Sequence, residues 1–341
     1  MEKSSDVIRK NVYLTNVYYT KLQNKTKILY FKYLDENRSY EDFEKEMSKL
    51  WDNVDHSFMD KQIAKLEKVV NSNNVEEAIN LGRLDEQYKN TEYWVIDEEY
   101  FRLTPEKDFK AIEQKFKRNV LNQYKIAKKT IKNVDKDIYL EKRIDTYNKS
   151  INQVITYFNR ENHIARKVQL STYLAMLHNV DLTRSGWNQT MSDANKLDAE
   201  LFIIPYHSFS CLECVEWQNR PLTREQVENM IGIEAVEQTG DILHPNCKCT
   251  LSIYWDSSQI DRQMKSESEI ALEYAIRQKV NGLTLERSNL RADMQIAKGL
   301  GNESKVDDIK KRISVINKNI KELRNQLPTS ELQKQVTAIN R

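Results

Sequence analysis

The sequence predicts a mainly α-helical protein with a small α+β module, long helices before that module and a C-terminal helical hairpin after it. Only seven glycines and five prolines occur in 341 residues, so few positions interrupt helices. Apolar residues recur at three- and four-residue steps over much of the chain, whereas all four cysteines lie between positions 211 and 249. We therefore predict a helical region over residues 1–182, the module over 183–256 and the hairpin over 257–341.

Composition and charge restrict the functions to consider. The formal net charge is only +2, so the whole chain is not a polycation that coats nucleic acid. Basic residues outnumber acidic ones locally, thirteen to seven over residues 106–150 and ten to five over residues 298–341. Solvated helix faces account for such excesses, and a weak electrostatic footprint for DNA is the alternative. The sequence contains neither a signal peptide nor a run of about 18 uncharged apolar residues, so we expect synthesis in the cytoplasm and no membrane partner.

Helices are predicted through the first half of the chain. Ser39 has N-cap chemistry for a helix with an apolar stripe. The stripe comprises Phe43, Met47, Leu50, Trp51 and Val54. A second helix is predicted over residues 60–70, ending at the polar run 71–74, and a third over residues 76–89.

A longer helix is expected to begin at Pro105 and to reach about residue 132, because proline favours the first helical position. The helical pattern resumes over residues 136–178, with one apolar stripe. That stripe comprises Ile144, Tyr147, Ile151, Val154, Ile155 and Phe158. His163 and His178 have no partner ligands at nearby spacing, so we expect each to be a surface or hydrogen-bonded histidine.

The module begins where the composition changes near Thr183. An apolar run at residues 201–206 predicts a strand that leads into the cysteines, and a second strand is predicted directly after Cys249. Between them, Thr223 has N-cap chemistry for a short helix that ends near Gly232. The cysteines should therefore lie in turns bracketed by strands.

The last helix has the clearest periodicity in the chain. Seven apolar residues step alternately by three and four and form a seam of about three heptads. They are Val306, Ile309, Ile313, Ile316, Ile320, Leu323 and Leu327. Ser304 with Asp307 predicts its start, and Pro328 its end. The apolar positions before Gly299 predict a coiled-coil-like antiparallel hairpin within the chain, with self-association or docking to another protein as the alternative.

The cysteines and one histidine form a metal-ligand pattern. Cys211 and Cys214 are separated by two residues, Cys247 and Cys249 by one, and His244 precedes Cys247 by three. Such a turn lets two thiolates face one ion, and a second turn bearing histidine and cysteine closes a tetrahedral site. Thiolate and imidazole ligands favour Zn²⁺ over calcium or magnesium. We predict a zinc-binding α+β module with these five residues as candidate ligands.

Three other interpretations compete with zinc. Two disulfides would need an oxidising compartment, which the missing signal peptide argues against. A thioredoxin-like redox pair would leave His244 and two cysteines unexplained. An iron–sulfur cluster could use the four cysteines, but His244 and the short spacing of Cys247 and Cys249 favour zinc.

Five donors compete for four ligand positions. Cys211 and Cys214 form the safest pair, since His207 is the one competing donor beside them. If residues 247–249 are extended, the thiols of Cys247 and Cys249 point in opposite directions, so one of the two is expected outside the ligand shell.

No catalytic constellation accompanies the candidate ligands. The deaminase pattern, the His-Glu-x-x-His pattern, a Gly-rich phosphate loop and Gly-x-Ser-x-Gly are all absent from the sequence. Glu213 and Glu216 flank the first cysteine pair, but acids on a short loop are usually solvated. The number of donors predicts a closed, structural site and a protein that is not an enzyme.

The order of these motifs resembles the head-morphogenesis domain of tailed-phage minor head proteins, the family of the Mu F protein. The matching features are Cys211 and Cys214, the Trp217–Gln218 turn, a short helix, and the run from His244 to Cys249. The family often has glycine after the Trp-Gln pair, where this chain has Asn219, a residue that tolerates the left-handed backbone conformation. The resemblance covers residues 183–254, and upstream of it the run of residues 163–177, followed by Trp187, resembles the helix that usually precedes the family's module.

The resemblance implies a minor capsid protein of the virion head. Such a protein is made in the host cytoplasm, associates with the portal vertex and takes part in head assembly. The implied partners are the portal protein or the major capsid protein and, in some relatives, double-stranded DNA without sequence specificity. The same module also occurs fused to bacterial toxin domains, so a zinc-dependent hydrolase or nuclease acting on DNA or cell wall stays open as the alternative.

Overall fold

A computed structural model describes most of the chain and confirms the mainly α-helical fold with a small sheet. The described residues are 3–85, 106–147, 155–159, 164–207, 212–231, 247, 249–260 and 266–327. Their helices are α1 (Ser4–Asp35), α2 (Tyr40–Trp51), α3 (Ser57–Asn80), α4 (Glu106–Ile131), α5 (Lys136–Tyr147), α6 (Leu170–Lys196), α7 (Leu212–Val215), α8 (Arg224–Ile231), α9 (Glu267–Gly299) and α10 (Glu303–Asn325). Within these ranges every helix is too short or too polar to cross a membrane.

The strands of the described residues form two small antiparallel sheets. They are β1 (Ile155–Asn159), β2 (Ile164–Val168), β3 (Leu201–Ile203), β4 (Pro221–Thr223) and β5 (Ser252–Ile253). β1 pairs with β2 as a hairpin, and the second sheet has the strand order β4-β3-β5. In this second sheet Phe202 lies opposite both Leu222 and Ile253, so the central strand buries its side chain between two neighbours.

The chain forms two compact units that interleave along the sequence. The first unit comprises Met1–Val17, Asp55–Phe109 and Leu174–Ala271, and the second comprises Tyr18–Val54, Lys110–Tyr173 and Leu272–Arg341. The predicted boundary between residues 182 and 183 falls inside α6. Each unit consists of three segments that are separate in the sequence. The division into three consecutive domains therefore stays a prediction.

The first unit packs α6 against the beginning of α1 and against α3. Its apolar cluster consists of Val7, Ile8, Leu66, Val70 and Leu182, with Val12, Ile63 and Val69 at its margin. Polar side chains extend this contact along α3 and α6: Asn71 and Asn74 donate to the carboxylate of Asp193 over 2.9 and 2.8 Å.

The contact between α3 and α6 explains why α3 is a single helix where the sequence predicts two. The polar run at residues 71–74 was expected to end a helix near residue 70, and a new one was expected at residue 76. Helix α3 instead continues to Asn80, because Asn71 and Asn74 bind Asp193 and Asn73 binds Ser4. Their amides therefore make tertiary hydrogen bonds and do not compete with the helix backbone. The part of the predicted third helix beyond residue 85 lies outside the described residues.

A second prediction was wrong between residues 155 and 168. The helical stripe was expected to continue through Ile155 and Phe158, but these residues belong to β1, which pairs with β2. The run Ile-Thr-Tyr-Phe is β-branched and aromatic, which favours a strand over a helix. α5 ends at Tyr147, in agreement with the first half of the predicted stripe.

The second unit contains an aromatic core and the predicted hairpin. Tyr30 packs edge-on against Phe43 and Tyr124, and the rings of Phe43 and Tyr124 stack at 4.0 Å. Ser39 caps α2 as predicted, since its side chain accepts a hydrogen bond from the Asp42 amide. The buried ammonium of Lys27 pairs with the carboxylate of Asp293.

The C-terminal hairpin buries its seam within the chain, as predicted. The core comprises Leu290, Ala297, Val306, Ile309, Ile316 and Ile320, with Val280, Leu283, Met294 and Ile313 packed beside it. The start of α10 differs by two residues from the expected Ser304 cap. Asn302 caps the helix instead, because its side chain accepts a hydrogen bond from the Lys305 amide over 2.9 Å, directly after Gly301 at φ +70°.

Candidate metal centre

The structure brings three of the predicted metal ligands together. The sulfur atoms of Cys214, Cys247 and Cys249 lie within 4.8 Å of one another, and all three side chains are buried. The Sγ atoms of Cys214 and Cys247 are 3.5 Å apart, and the three cysteines form no disulfide with one another. This cluster could hold a metal ion. Cys211 and His244, the other two predicted ligands, lie outside the described residues.

Cys247 and Cys249 both point into the cluster, which differs from expectation. An extended segment would direct their thiols to opposite sides. The strand begins only at Ser252, and the backbone amide of Cys249 donates to the sulfur of Cys247 over 3.4 Å. The residues before β5 therefore turn so that both thiols can face one ion.

Cys214 reaches the cluster from the turn predicted between the strands. It lies in the single turn of α7, and the chain then returns to the end of β3, where the amide of Asn219 donates to the carbonyl of Ile204 over 2.8 Å. Asn219 has φ +61°, which confirms that this residue adopts the left-handed conformation the turn requires. Thr223 caps α8 as predicted, with its hydroxyl accepting from the Gln226 amide.

Two side chains outside the cluster direct nitrogen atoms at Cys249. The buried amide of Gln218 donates to its sulfur over 3.2 Å, and the Nε2 atom of His207 lies 3.4 Å from the same sulfur. N–H donors aimed at sulfur stabilise the thiolate, which is the form that binds metal. The sequence indicates His207 as a competing donor and Gln218 as part of a motif. The spacing of these residues along the chain does not predict that either contacts the sulfur of Cys249.

One face of α6 holds the backbone of the cysteine segment. Four side chains at spacings of four, four and three residues donate to carbonyl groups of alternate residues in segment 247–251. Asn179 donates to Cys247 over 2.6 Å and Thr183 to the same carbonyl over 3.3 Å. The Trp187 indole donates to Cys249 over 2.9 Å, and the Thr190 hydroxyl to Leu251 over 3.0 Å. We call these four residues the α6 ladder.

The ladder satisfies backbone groups that the sheet does not. The carbonyls of Cys247, Cys249 and Leu251 precede β5, so no strand neighbour pairs with them in the described sheet. A buried carbonyl without a partner costs about 1–3 kcal/mol. The helix thus supplies the hydrogen bonds that let this irregular segment lie in the interior.

Titratable groups on α6 are buried beside the ladder. Burial lowers the pKa of His178 to about 3, and its Nε2 donates to the side-chain oxygen of Gln62 over 2.7 Å. This confirms the expectation of a hydrogen-bonded histidine, while His163 lies outside the described residues. Burial raises the pKa of Asp193 although amide hydrogen bonds from Asn74 and Asn71 oppose that shift.

Comparisons of the chain with protein-family models, curated proteins and solved structures found no match. We therefore infer the function from the metal cluster and its surroundings.

Proposed function

We propose that this protein is a minor head protein of a tailed phage, in which a structural zinc ion fixes the module of residues 183–256. The observation that carries the proposal is the buried cluster of Cys214, Cys247 and Cys249. The cluster brings Cys214, from the first cysteine pair, next to Cys247 and Cys249, the second pair. The resemblance to minor head proteins rests on the motif that contains both pairs.

The donor set supports zinc as the metal. Three thiols at mutual distances below 4.8 Å fit a thiolate-rich, four-coordinate site, which zinc prefers, and such a site suits neither calcium nor magnesium. Cys211 and His244 are the proposed sources of the fourth ligand. When bound, the ion would supply cross-links between the α7 turn and the segment before β5.

Burial supports a structural role for this metal. The exposed fractions of Cys214, Cys247 and Cys249 are 0%, 2% and 1%, so solvent and a substrate have little access to the sulfurs. A catalytic zinc keeps an open position for water or substrate. The competing hydrolase or nuclease function has no comparable supporting observation.

Particle composition tests the proposed place in the head. We expect mass spectrometry of purified virions to find the full-length chain in few copies, and particles assembled with the Cys214→Ser chain to contain less of it. The matched control is Val315→Asp, an exposed change that should leave incorporation unaltered. Absence from particles together with zinc-dependent cleavage of DNA or peptidoglycan by the purified protein would instead establish the enzyme.

DNA contact is a second part of the proposal, supported by one face of α4. Exposed cations recur on it at Lys115, Arg118, Lys125 and Lys129, Lys132 follows directly after the helix, and no acidic residue occurs from 115 to 134. Such a stripe suits a phosphate backbone, and binding should weaken steeply with salt. Arg118→Glu with Lys129→Glu should reduce binding to duplexes of any sequence, as fluorescence anisotropy at several salt concentrations would measure.

A further inference from the structure

Helix α6 takes part in two separate contacts within the first unit. On one side its ladder holds the carbonyls of Cys247, Cys249 and Leu251. On an adjoining face Leu182 packs in the apolar cluster with α1 and α3, and Thr190 of the ladder accepts a hydrogen bond from the Asn74 amide of α3. The contact with α3 also includes the Ser185–Glu67 hydrogen bond and the amide pairs of Asp193. The metal segment and the helical layer therefore share one rigid element.

The ladder fixes the segment at its backbone and leaves the thiols to the metal. Asn179 and Thr183 bind the carbonyl of Cys247, and Trp187 binds that of Cys249, so two ligand residues are oriented by groups that do not ligate. Groups that orient metal ligands typically contribute 10–100-fold in metal affinity. The loss of their hydrogen bonds should leave the donor set intact but less well placed.

We propose that Asn179, Thr183 and Trp187 are positioning residues through which α6 sets the affinity of the metal site and passes the stabilisation by bound metal to α3. The transfer of stabilisation to α3 follows from thermodynamic linkage. If an intact ladder raises the metal affinity by some factor, bound metal favours the intact ladder by the same factor. The proposal rests on the metal-binding part of the proposed function and is independent of the protein's place in a virion.

The first experiment measures zinc affinity of the full-length chain by competition with a chromogenic chelator. Thr183→Val removes one donor at nearly constant volume, and Trp187→Phe removes the second donor together with part of the buried ring. We expect the double variant to lose 10–100-fold in affinity. Thr183→Ser keeps a hydroxyl and should stay close to wild type. Leu182→Ala is the matched control, because it weakens the packing of the same helix against α1 and α3 and removes no ladder donor, so it should change affinity by less than about threefold.

The second readout is hydrogen exchange with and without zinc. In the wild type, zinc should slow exchange of amides in α3 and in residues 174–196 as well as in β5. In the double variant that protection of α3 should shrink. An effect of zinc confined to the cysteine segment would overturn the coupling.

Other outcomes also decide between these possibilities. Wild-type affinity in the double variant, or an equal loss in Leu182→Ala, would overturn the positioning role. If the double variant does not fold, the single changes Thr183→Val and Thr183→Ser give the same test, since the first replaces the donating hydroxyl by a methyl group and the second keeps it. A wild-type chain that binds no zinc would overturn both this proposal and the zinc site, whereas absence from virions with these affinity differences intact would overturn only the head assignment.

Discussion

The cysteine segment and the α9–α10 hairpin show two ways in which this chain buries an irregular or amphipathic stretch. The hairpin buries apolar side chains against a neighbour in sequence, and its cross-helix hydrogen bonds join residues 26 and 30 positions apart. The segment buries backbone and thiols, and its ladder bonds span 61 to 68 positions. The hairpin therefore depends mainly on hydrophobic burial, whereas the segment depends on polar partners and, in our proposal, on a metal ion.

The substitution with the largest expected effect should open the cysteine segment and leave the hairpin folded. Cys214→Ser removes one thiolate from the cluster, and structural zinc contributes on the order of 10 kcal/mol of folding free energy in small modules. We expect elemental analysis to find less than one zinc per chain and hydrogen exchange to show opening of residues 201–255. The hairpin should keep wild-type protection. Loss of protection in α9 and α10 as well would show that the two regions do not fold separately.

A buried charge in the hairpin gives the reciprocal test. Ile316 is 5% exposed, and Ile316→Asp should lower the free energy of unfolding by several kcal/mol because an unpaired carboxylate is costly in an apolar seam. Val315, its neighbour, is 58% exposed, so Val315→Asp should change stability by about 0.5 kcal/mol or less. Urea titration measures both. Neither variant should alter the zinc content, and equal effects of the two changes would mean that the seam is not buried.

Acid should affect the two regions differently because α6, which holds the cysteine segment, carries the buried His178, whereas the sequence of the hairpin contains no histidine. The pKa of His178 is about 3 in the folded chain, below its ordinary value of about 6.5, so the unfolded chain binds more protons between these values. Stability contributed by neutral His178 is present above pH 6.5 and falls by up to about 1.4 kcal/mol per pH unit below it.

The variant His178→Gln isolates this contribution. Its stability should fall less than that of the wild type between pH 7 and pH 5, as urea titrations at several pH values would measure. Both chains share the opposing contribution of Asp193, whose raised pKa makes acid favourable to the folded state. Parallel pH profiles of the two chains would contradict the assignment to His178.

The smallest predicted effect concerns the start of α10. Asn302→Ala removes the side chain that accepts from the Lys305 amide and should cost about 1 kcal/mol. Asn302→Asp keeps an acceptor at the cap and should be close to neutral. Thermal unfolding of the two variants distinguishes them, and an equal loss in both would mean that the side-chain acceptor is not the source of the stability.

Sequence reasoning succeeded where the determining contacts are local. The heptad seam, the Ser39 and Thr223 caps and the left-handed turn at Asn219 depend on residues within a few positions of one another. The cysteine pattern was also informative, because few side chains can supply thiolate ligands.

It failed where a distant partner decides the local structure. The asparagines at 71 and 74 read as a helix end, and only Asp193, more than a hundred residues later, explains why the helix continues. The strand at residues 155–159 depends on pairing with β2. The spacing of the ladder residues is that of any helix face, and the four residues acquire a shared role only when segment 247–251 lies beside them.

The indole of Trp187 offers a spectroscopic view of the cluster from inside the protein. Its ring is fully buried, and its N–H is bound to the carbonyl of a cysteine in the cluster. In a ¹H–¹⁵N spectrum each tryptophan side chain gives one indole resonance, and the Trp187→Phe spectrum would assign this one by its disappearance. Titration with Zn²⁺ should then shift that peak, so the chain carries its own residue-specific indicator of metal occupancy without any attached label.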